Sequence, residues 1–212
     1  MAQWSEIKKH LCSRDEVMAS LIQKHGKPSF LDSSGLEVNL FDSVINSIIS
    51  QQLSIHAARS IRNKLYDLGN IQEFNIEFFI NSSIEDLRSC GLSRSKCLSM
   101  KSLSHTVDQI PDFLTSLNKK SDEDVIEQLT KIKGIGIWTA QMFQMFALRK
   151  LDVFALKDAG LMKGVRIAYF KGQKPDENQV INITNKWRPY RSIGSWYMWK
   201  IANNPPLTDK IV

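Results

Sequence analysis

The amino-acid sequence predicts an all-α protein. Apolar residues recur at intervals of three and four along almost the whole chain, and glycine or proline interrupts the pattern at the expected helix ends. Only LEVNLF (36–41) and LDVFAL (151–156) suggest extended chain. The 212 residues are 42% hydrophobic and 24% charged, which suits a globular protein with one core or with two lobes that share a cleft. We expect roughly nine or ten helices.

The predicted helices follow one another with short breaks. The first contains Val17 and Leu21 and stops at the breaker HGKP, residues 25–28. The second carries an apolar stripe at i, i+3, i+4, i+7 and i+8, which starts at Phe41 and ends at Ile49. A later one opens at Ser121, a good N-cap followed by acidic residues. The other helices are expected over residues 54–68, 83–90, 93–107, 136–148, 158–170, 176–186 and 190–202.

Composition excludes several classes of protein. The longest apolar runs are a few residues, so no segment is expected to span a bilayer. The first residues turn polar at once, which predicts no signal peptide and a cytoplasmic or nucleoid location, or the nucleus in a eukaryote. Three scattered cysteines argue against a disulfide framework, a zinc site or an iron–sulfur cluster. A net charge of +6 favours a polyanionic partner only weakly.

The stretch LTKIKGIGIWTAQMF, residues 129–143, interrupts a helical pattern with two glycines. Gly134 and Gly136 permit positive φ and remove the Cβ, so a following helix can begin with exposed amides. Such amides bind anions, phosphate above all, and Lys131 and Lys133 add positive charge. A C-cap glycine in a tight turn between two helices is the simpler interpretation of the same residues.

Four motifs in order resemble one family. L-x-x-I-K-G-I-G-I-W-T-A is similar to the helix-hairpin-helix element of DNA-binding proteins, and the D-V-F-x-x-x-D segment that follows ends at Asp158. Together they resemble the helix-hairpin-helix Gly/Pro/Asp superfamily of base-excision DNA glycosylases. SIISQQLSIHAARSIRNKL, LRSCGLSRSKCLSMKSLS and KWRPYRSIGSWYMWK narrow the resemblance to the 3-methyladenine DNA glycosylase II type, over about residues 15–200.

The resemblance implies a two-lobed helical glycosylase fold with a central DNA-binding cleft. Lobe one would cover about residues 40–152 with the hairpin, and lobe two about 1–39 plus 153–212. The implied activity is removal of alkylated purines from double-stranded DNA, after the damaged base is flipped out of the helix. A monomer without an organic cofactor is expected.

The family pattern places the catalytic carboxylate at Asp158, where it would stabilise an oxocarbenium-like sugar, activate water, or both. Asp158 is also a candidate N-cap for the helix that follows, and the two roles are compatible. Asp152 is the rival carboxylate, and in the family this earlier aspartate is structural.

Three side chains are candidates for the base pocket. Trp138 occupies the position where the bifunctional glycosylase/lyases of the superfamily carry a nucleophilic lysine, which predicts a monofunctional enzyme. Its indole face would attract a cationic alkylated base. The resemblance adds Trp199 and Met142, whereas Trp187 could equally be a core residue.

The DNA contacts are also implied by the resemblance. Gln52, with Leu53 beside it, would fill the space that the flipped base leaves, although a polar helix cap is the simpler role for Gln52. The hairpin would hold the DNA backbone through Lys133, the amides of Gly134, Ile135 and Gly136, and the hydroxyl of Thr139.

Three further expectations concern the same regions. The main-chain carbonyls of Thr130, Ile132 and Ile135 would bind Na⁺ or K⁺. Arg188 and Arg191 suit either DNA contacts or structural pairing. Two alternatives to the whole assignment are a non-catalytic helix-hairpin-helix DNA-binding protein and an iron–sulfur glycosylase/lyase; the second is disfavoured by Trp138 and by the cysteine pattern.

Overall fold

The computed structural model describes residues 2–31 and 38–203, and it confirms the all-α prediction. Within these ranges there are no strands, and two short 3₁₀ turns, Ser29–Leu31 and Leu117–Lys119, accompany the helices. The thirteen α-helices of the described chain are α1 (Ala2–Arg14), α2 (Glu16–His25), α3 (Leu40–Ser50), α4 (Ile55–Gly69), α5 (Ile76–Asn81), α6 (Ile84–Ser89), α7 (Arg94–Gln109), α8 (Phe113–Ser116), α9 (Asp122–Thr130), α10 (Ile137–Phe146), α11 (Ala159–Phe170), α12 (Glu177–Asn185) and α13 (Arg191–Asn203).

Ten of these helices match the predicted ones, and three were missed. The missed helices are α1, which buries only Ile7 and Leu11 completely, and the short helices α5 and α8. The extended conformation predicted for residues 36–41 is wrong at Leu40 and Phe41, which begin α3, and residues 36 and 37 lie outside the described chain. No described helix has both the length and the apolar character needed to cross a membrane.

The chain divides into two units, Glu37–Arg149 and a second unit made of Met1–Leu36 with Lys150–Val212. In the Glu37–Arg149 unit, α3 contributes the predicted apolar stripe to the core, with all five side chains buried. It packs against α4, α7, α8 and α10. Burial of each large apolar side chain stabilises the unit by about 1.5–3 kcal/mol, so this stripe fixes where the hairpin helices lie. The predicted cleft and lobe boundaries stay predictions.

In the other unit, α11 packs closely against α13. A Cβ on Gly164 of α11 would overlap the main chain of Met198, so the two helices can approach only because this residue is glycine. Gly194 of α13 likewise leaves room for the ring of Trp187, which is fully buried. This packing holds the start of α11 beside the last turns of α13.

Candidate nucleic-acid interface and active site

The hairpin between α9 and α10 uses its two glycines for different reasons. Gly134 has φ +83°, and a Cβ there would overlap the Oγ and Cβ of Ser99 on α7. Gly136 has φ −99° and would meet nothing within 4 Å. The expected positive φ is therefore found at Gly134 alone, where close packing requires glycine as well. At Gly136 the missing side chain leaves open space in front of the hairpin.

The N-terminus of α10 differs from most helix starts of the described chain. Nine helices of the described chain begin with a side chain that accepts a hydrogen bond from an amide of the first turn. The N-cap of α10 is Gly136, which provides no side-chain cap, and the first residue of the helix, Ile137, is 57% exposed. The first amides of a helix have no partner within the helix, so this end is suited to an external anion.

The predicted hairpin contacts divide into two groups. Lys133, Gly134 and Gly136 are exposed, whereas Ile135 is buried, so only its main chain could serve a ligand. Thr139 is 1% exposed, and its hydroxyl oxygen accepts a hydrogen bond from Nε2 of Gln51 at 2.9 Å. Without DNA, the Thr139 side chain is thus directed into the protein and engaged by Gln51, and its contact with DNA stays a prediction.

The turn between α3 and α4 lies against the hairpin. Besides its bond to Thr139, Nε2 of Gln51 donates to the carbonyl of Gly134 at 3.3 Å. Gln52, at the tip, is exposed and has φ +54°, a rare value for a residue with a side chain. Leu53 and Ile55 beside it are 40% and 64% exposed, although both are large and apolar. We call residues 51–54 the tip loop.

The simpler role proposed for Gln52, a helix cap, does not describe its side chain. The side-chain cap of α4 is Ser54, whose Oγ accepts the amide of Ala57. Ile55 was not singled out from the sequence, although a large apolar residue in the first turn of the helix predicted over 54–68 was a signal for it.

Two candidates for the base pocket, Trp138 and Met142, belong to the Glu37–Arg149 unit and lie one turn apart on α10. Trp138 is half-buried, and Met142 is 6% exposed. Because residues four apart share a helix face, both side chains lie on the same side of α10.

Asp158 is the N-cap of α11. Its Oδ1 accepts the amide of Leu161 at 2.5 Å and the indole Nε1–H of Trp199 at 2.8 Å. The carboxylate is half-buried, and Gly160 next to it leaves room, since a Cβ there would come within 3.3 Å of both Asp158 and Trp199. The structure thus brings together two predicted site residues, Asp158 and Trp199. The hydrogen bond from Trp199 orients the carboxylate, a contact that the sequence did not indicate.

The rival carboxylate, Asp152, is engaged by two arginines. Nε of Arg191 donates to Oδ1 at 2.7 Å and its Nη2 to Oδ2 at 3.0 Å, while Nη1 of Arg188 donates to Oδ2 at 2.9 Å. Nη2 of Arg191 also donates to the carbonyl of Asp152 at 2.7 Å. This forked pairing makes Asp152 structural, as the family pattern implies, and structural pairing is the role found for both arginines.

Replacing Asp152 with alanine is expected to destabilise the protein and to spare the chemistry. Arg191, largely buried, would lose its carboxylate partner, so the free energy of unfolding should fall by about 2 kcal/mol. Urea titration measures this change. At a temperature where the variant is folded, base release in a single turnover should stay within about tenfold of wild type. Loss of release from a fully folded variant would contradict the structural assignment.

Trp187 is a core residue. It is fully buried, and its Nε1–H donates to Oδ2 of Asp15 at 2.9 Å. The hydroxyl of Tyr169 donates to the same oxygen at 2.8 Å, and burial raises the pKa of Tyr169 well above its usual value, so the phenol keeps its proton. Of the two open roles for Trp187, core packing is the one found.

Comparisons with known proteins show which family this chain belongs to. Residues 45–189 match the family model described as the HhH-GPD superfamily base excision DNA repair protein. The chain belongs to the HhH-GPD superfamily. This match covers the tip loop, the hairpin, Asp152 and Asp158, and it confirms the family that the four motifs indicate.

Several known proteins are similar to this member of the HhH-GPD superfamily over nearly its full length. The alkylbase DNA glycosidase-like protein mag2 of Schizosaccharomyces pombe is 30% identical, with 94% of each chain covered. DNA-3-methyladenine glycosylase 1 of the same yeast is also 30% identical, over 95% of this chain and 89% of its own. The solved structure of S. pombe 3-methyladenine DNA glycosylase (Mag1) with abasic DNA superposes with a TM-score of 0.84 at 28% identity, covering 96% of this chain and all of that one.

Proposed function

We propose that this protein is a monofunctional DNA glycosylase that hydrolyses the N-glycosidic bond of alkylated purines, of the 3-methyladenine and 7-methylguanine type, in duplex DNA. The observation that carries the proposal is the carboxylate of Asp158, held at the start of α11 by the Leu161 amide and by the indole of Trp199. A protein that only binds DNA has little use for an oriented anion near the phosphates.

Asp158 would act on the sugar after the damaged nucleotide has left the base stack. As the bond to the base breaks, positive charge develops on the sugar ring, and a carboxylate fixed in place stabilises that charge without reorganising. The same carboxylate would orient the attacking water and accept its proton. A positively charged alkylated purine is a good leaving group, so a strong general acid is not required.

Trp138 and Met142 would form part of the base pocket, and Trp199 would be a further aromatic residue of that pocket. The face of an indole attracts a cation by about 0.5–2 kcal/mol, which favours charged alkylated bases over normal ones. Trp138 has no amine to form a Schiff base with the sugar, so water is the nucleophile and the product is an intact strand with an abasic site.

The DNA backbone would be held by the uncapped start of α10 and by Lys133, while Gln52 or Leu53 enters the space left by the flipped base. The exposure of the tip loop supports this role.

We also propose that the carbonyls of Thr130, Ile132 and Ile135 bind a Na⁺ or K⁺ ion. The oxygen of Ile132 accepts the Ile135 amide at 3.0 Å and keeps a second lone pair, and oxygen donors suit such ions. The ion would add positive charge beside a phosphate.

The protein would act on DNA as a monomer, in the nucleoid or the nucleus.

Incubation with methylated duplex DNA tests the proposed function. We expect release of free 3-methyladenine and 7-methylguanine, detected by chromatography, and strand breaks only after later treatment with alkali. DNA binding without release from any alkylated duplex would favour a non-catalytic binding protein. Strand breaks before alkali treatment would show lyase chemistry and refute the role given to Trp138.

A further inference from the structure

Lys96, on the first turn of α7, contacts the end of another helix. Its ammonium group donates to the carbonyl of Ile49 at 2.8 Å and to the carbonyl of Gln51 at 2.7 Å. These carbonyls lie at the C-terminal end of α3 and at the first residue of the tip loop, where helix carbonyls lack partners within the helix. Lys96 is partly buried, and that burial lowers the pKa of its ammonium group.

Gln51 is held from its other end by the hairpin. Its carbonyl accepts from Lys96, and its Nε2 donates to the carbonyl of Gly134 and to the Oγ1 of Thr139. One residue therefore joins α7, the tip loop and the hairpin. Thr139 is buried, so the bond to Gln51 is protected from water and is stronger than an exposed one.

Gln52 follows directly, with its backbone in the left-handed region. For a residue with a Cβ this conformation costs about 1–2 kcal/mol, and it persists only where the surroundings fix it. The bonds on both sides of Gln51 are such surroundings. These hydrogen bonds set the direction in which Gln52 and Leu53 project from the protein surface.

We propose that Lys96 and Gln51 are positioning residues that hold the tip of the loop at a fixed separation from the hairpin. The inference rests on the proposed function. With the separation fixed, the tip loop enters the duplex at a constant distance from the phosphate that the hairpin binds. Neither residue touches the reacting atoms. Their effect is on the flipped state of the DNA.

Lys101 on the same helix offers a matched control. Its ammonium group donates to the carbonyls of Phe79 at 2.9 Å and Ile80 at 3.1 Å, near the C-terminal end of α5. The two lysines make the same kind of contact, each with two main-chain carbonyls at a helix end. Only Lys96 makes it to the tip loop, so a difference between the two variants separates positioning from stability.

The test compares Lys96→Met with Lys101→Met in three measurements. In the protein without DNA, ¹⁵N relaxation should show increased motion of the amides of residues 51–54 in Lys96→Met only. With alkylated duplex, single-turnover base release should be about 10–100-fold slower in Lys96→Met and within about twofold of wild type in Lys101→Met. Affinity for undamaged duplex should change less than about threefold in both.

Three results decide the outcome. Equal effects of the two lysine variants on loop motion and on base release would overturn the inference. If Lys96→Met does not fold, Gln51→Met takes its place, because it removes the contact with the hairpin instead. Gln51→Met is expected to show the same increased loop motion and the same slow base release. Wild-type loop motion and base release in Gln51→Met would overturn the inference. If the wild-type protein releases no base, the proposed function fails, and loop motion together with 2-aminopurine fluorescence in abasic-analogue DNA still decides the positioning role.

Discussion

Replacing Asp158 with asparagine is expected to slow base release by about 10³-fold or more while the protein stays folded. Asparagine caps helices as well as aspartate, and its Oδ1 can still accept the Leu161 amide and the Trp199 indole N–H. The substitution therefore keeps the local structure and removes the negative charge. Single-turnover assays on alkylated duplex measure the rate constant, and thermal unfolding measures the stability of the same sample.

Asp176→Asn is the matched control for this prediction. Asp176 caps α12 by accepting the amide of Gln179 at 2.8 Å, within a capping box that has no proposed role in the reaction. Asp176→Asn should change the free energy of unfolding as little as Asp158→Asn does, and it should leave base release unchanged. Asp158→Asn should still bind a duplex with an abasic-site analogue within about tenfold of wild type. Wild-type turnover by folded Asp158→Asn would move the chemistry to another residue.

Much of the fold could be predicted because its causes are local in sequence. Helix starts follow from short side chains that bond an amide three residues later, as Ser121 does with Asp124 and Asp158 with Leu161. Helix cores follow from the spacing of apolar residues, as in α3. Both patterns are complete within a dozen residues, so they appear in the sequence itself.

The missed features either depend on partners far away in the chain or are too short to show a pattern. Helix α1 is mostly polar and is held through Ile7 and Leu11 in a core built largely from the C-terminal part of the chain. Helix α5 has six residues, too few to show a period of 3.6. Trp187 lies 172 residues from Asp15, and Lys96 lies 45 residues from Gln51, so neither bond has a local pattern.

The candidate site divides in the same way. The family motifs indicated Asp158 and the hairpin, because these combine a short spacing with unusual residue types. They did not indicate that Thr139 points inward, since burial of a threonine depends on what packs over it. The role of Gln51 was hidden because two adjacent glutamines look alike in sequence, while one contacts the hairpin and the other is exposed.

Gly134→Ala is expected to destabilise the Glu37–Arg149 unit by about 3 kcal/mol. The new Cβ would overlap Ser99, and φ +83° is unfavourable for alanine. The hairpin would have to move away from α7, which should also disturb the bonds from Gln51. Urea unfolding measures the loss of stability, and binding to a duplex with an abasic-site analogue should weaken at the same time.

Gly136→Ala separates packing from DNA contact, because the two glycines are only two residues apart. At Gly136, φ is −99° and a Cβ meets nothing within 4 Å, so the free energy of unfolding should change by less than about 1 kcal/mol. The methyl group would nevertheless stand beside the uncapped amides of α10, and affinity for the abasic-site duplex should fall about tenfold. Unchanged affinity in Gly136→Ala would mean that no phosphate approaches this helix start. A normally stable Gly134→Ala would mean instead that contact with Ser99 does not restrict the hairpin, and the first glycine would then have to be explained by DNA binding alone.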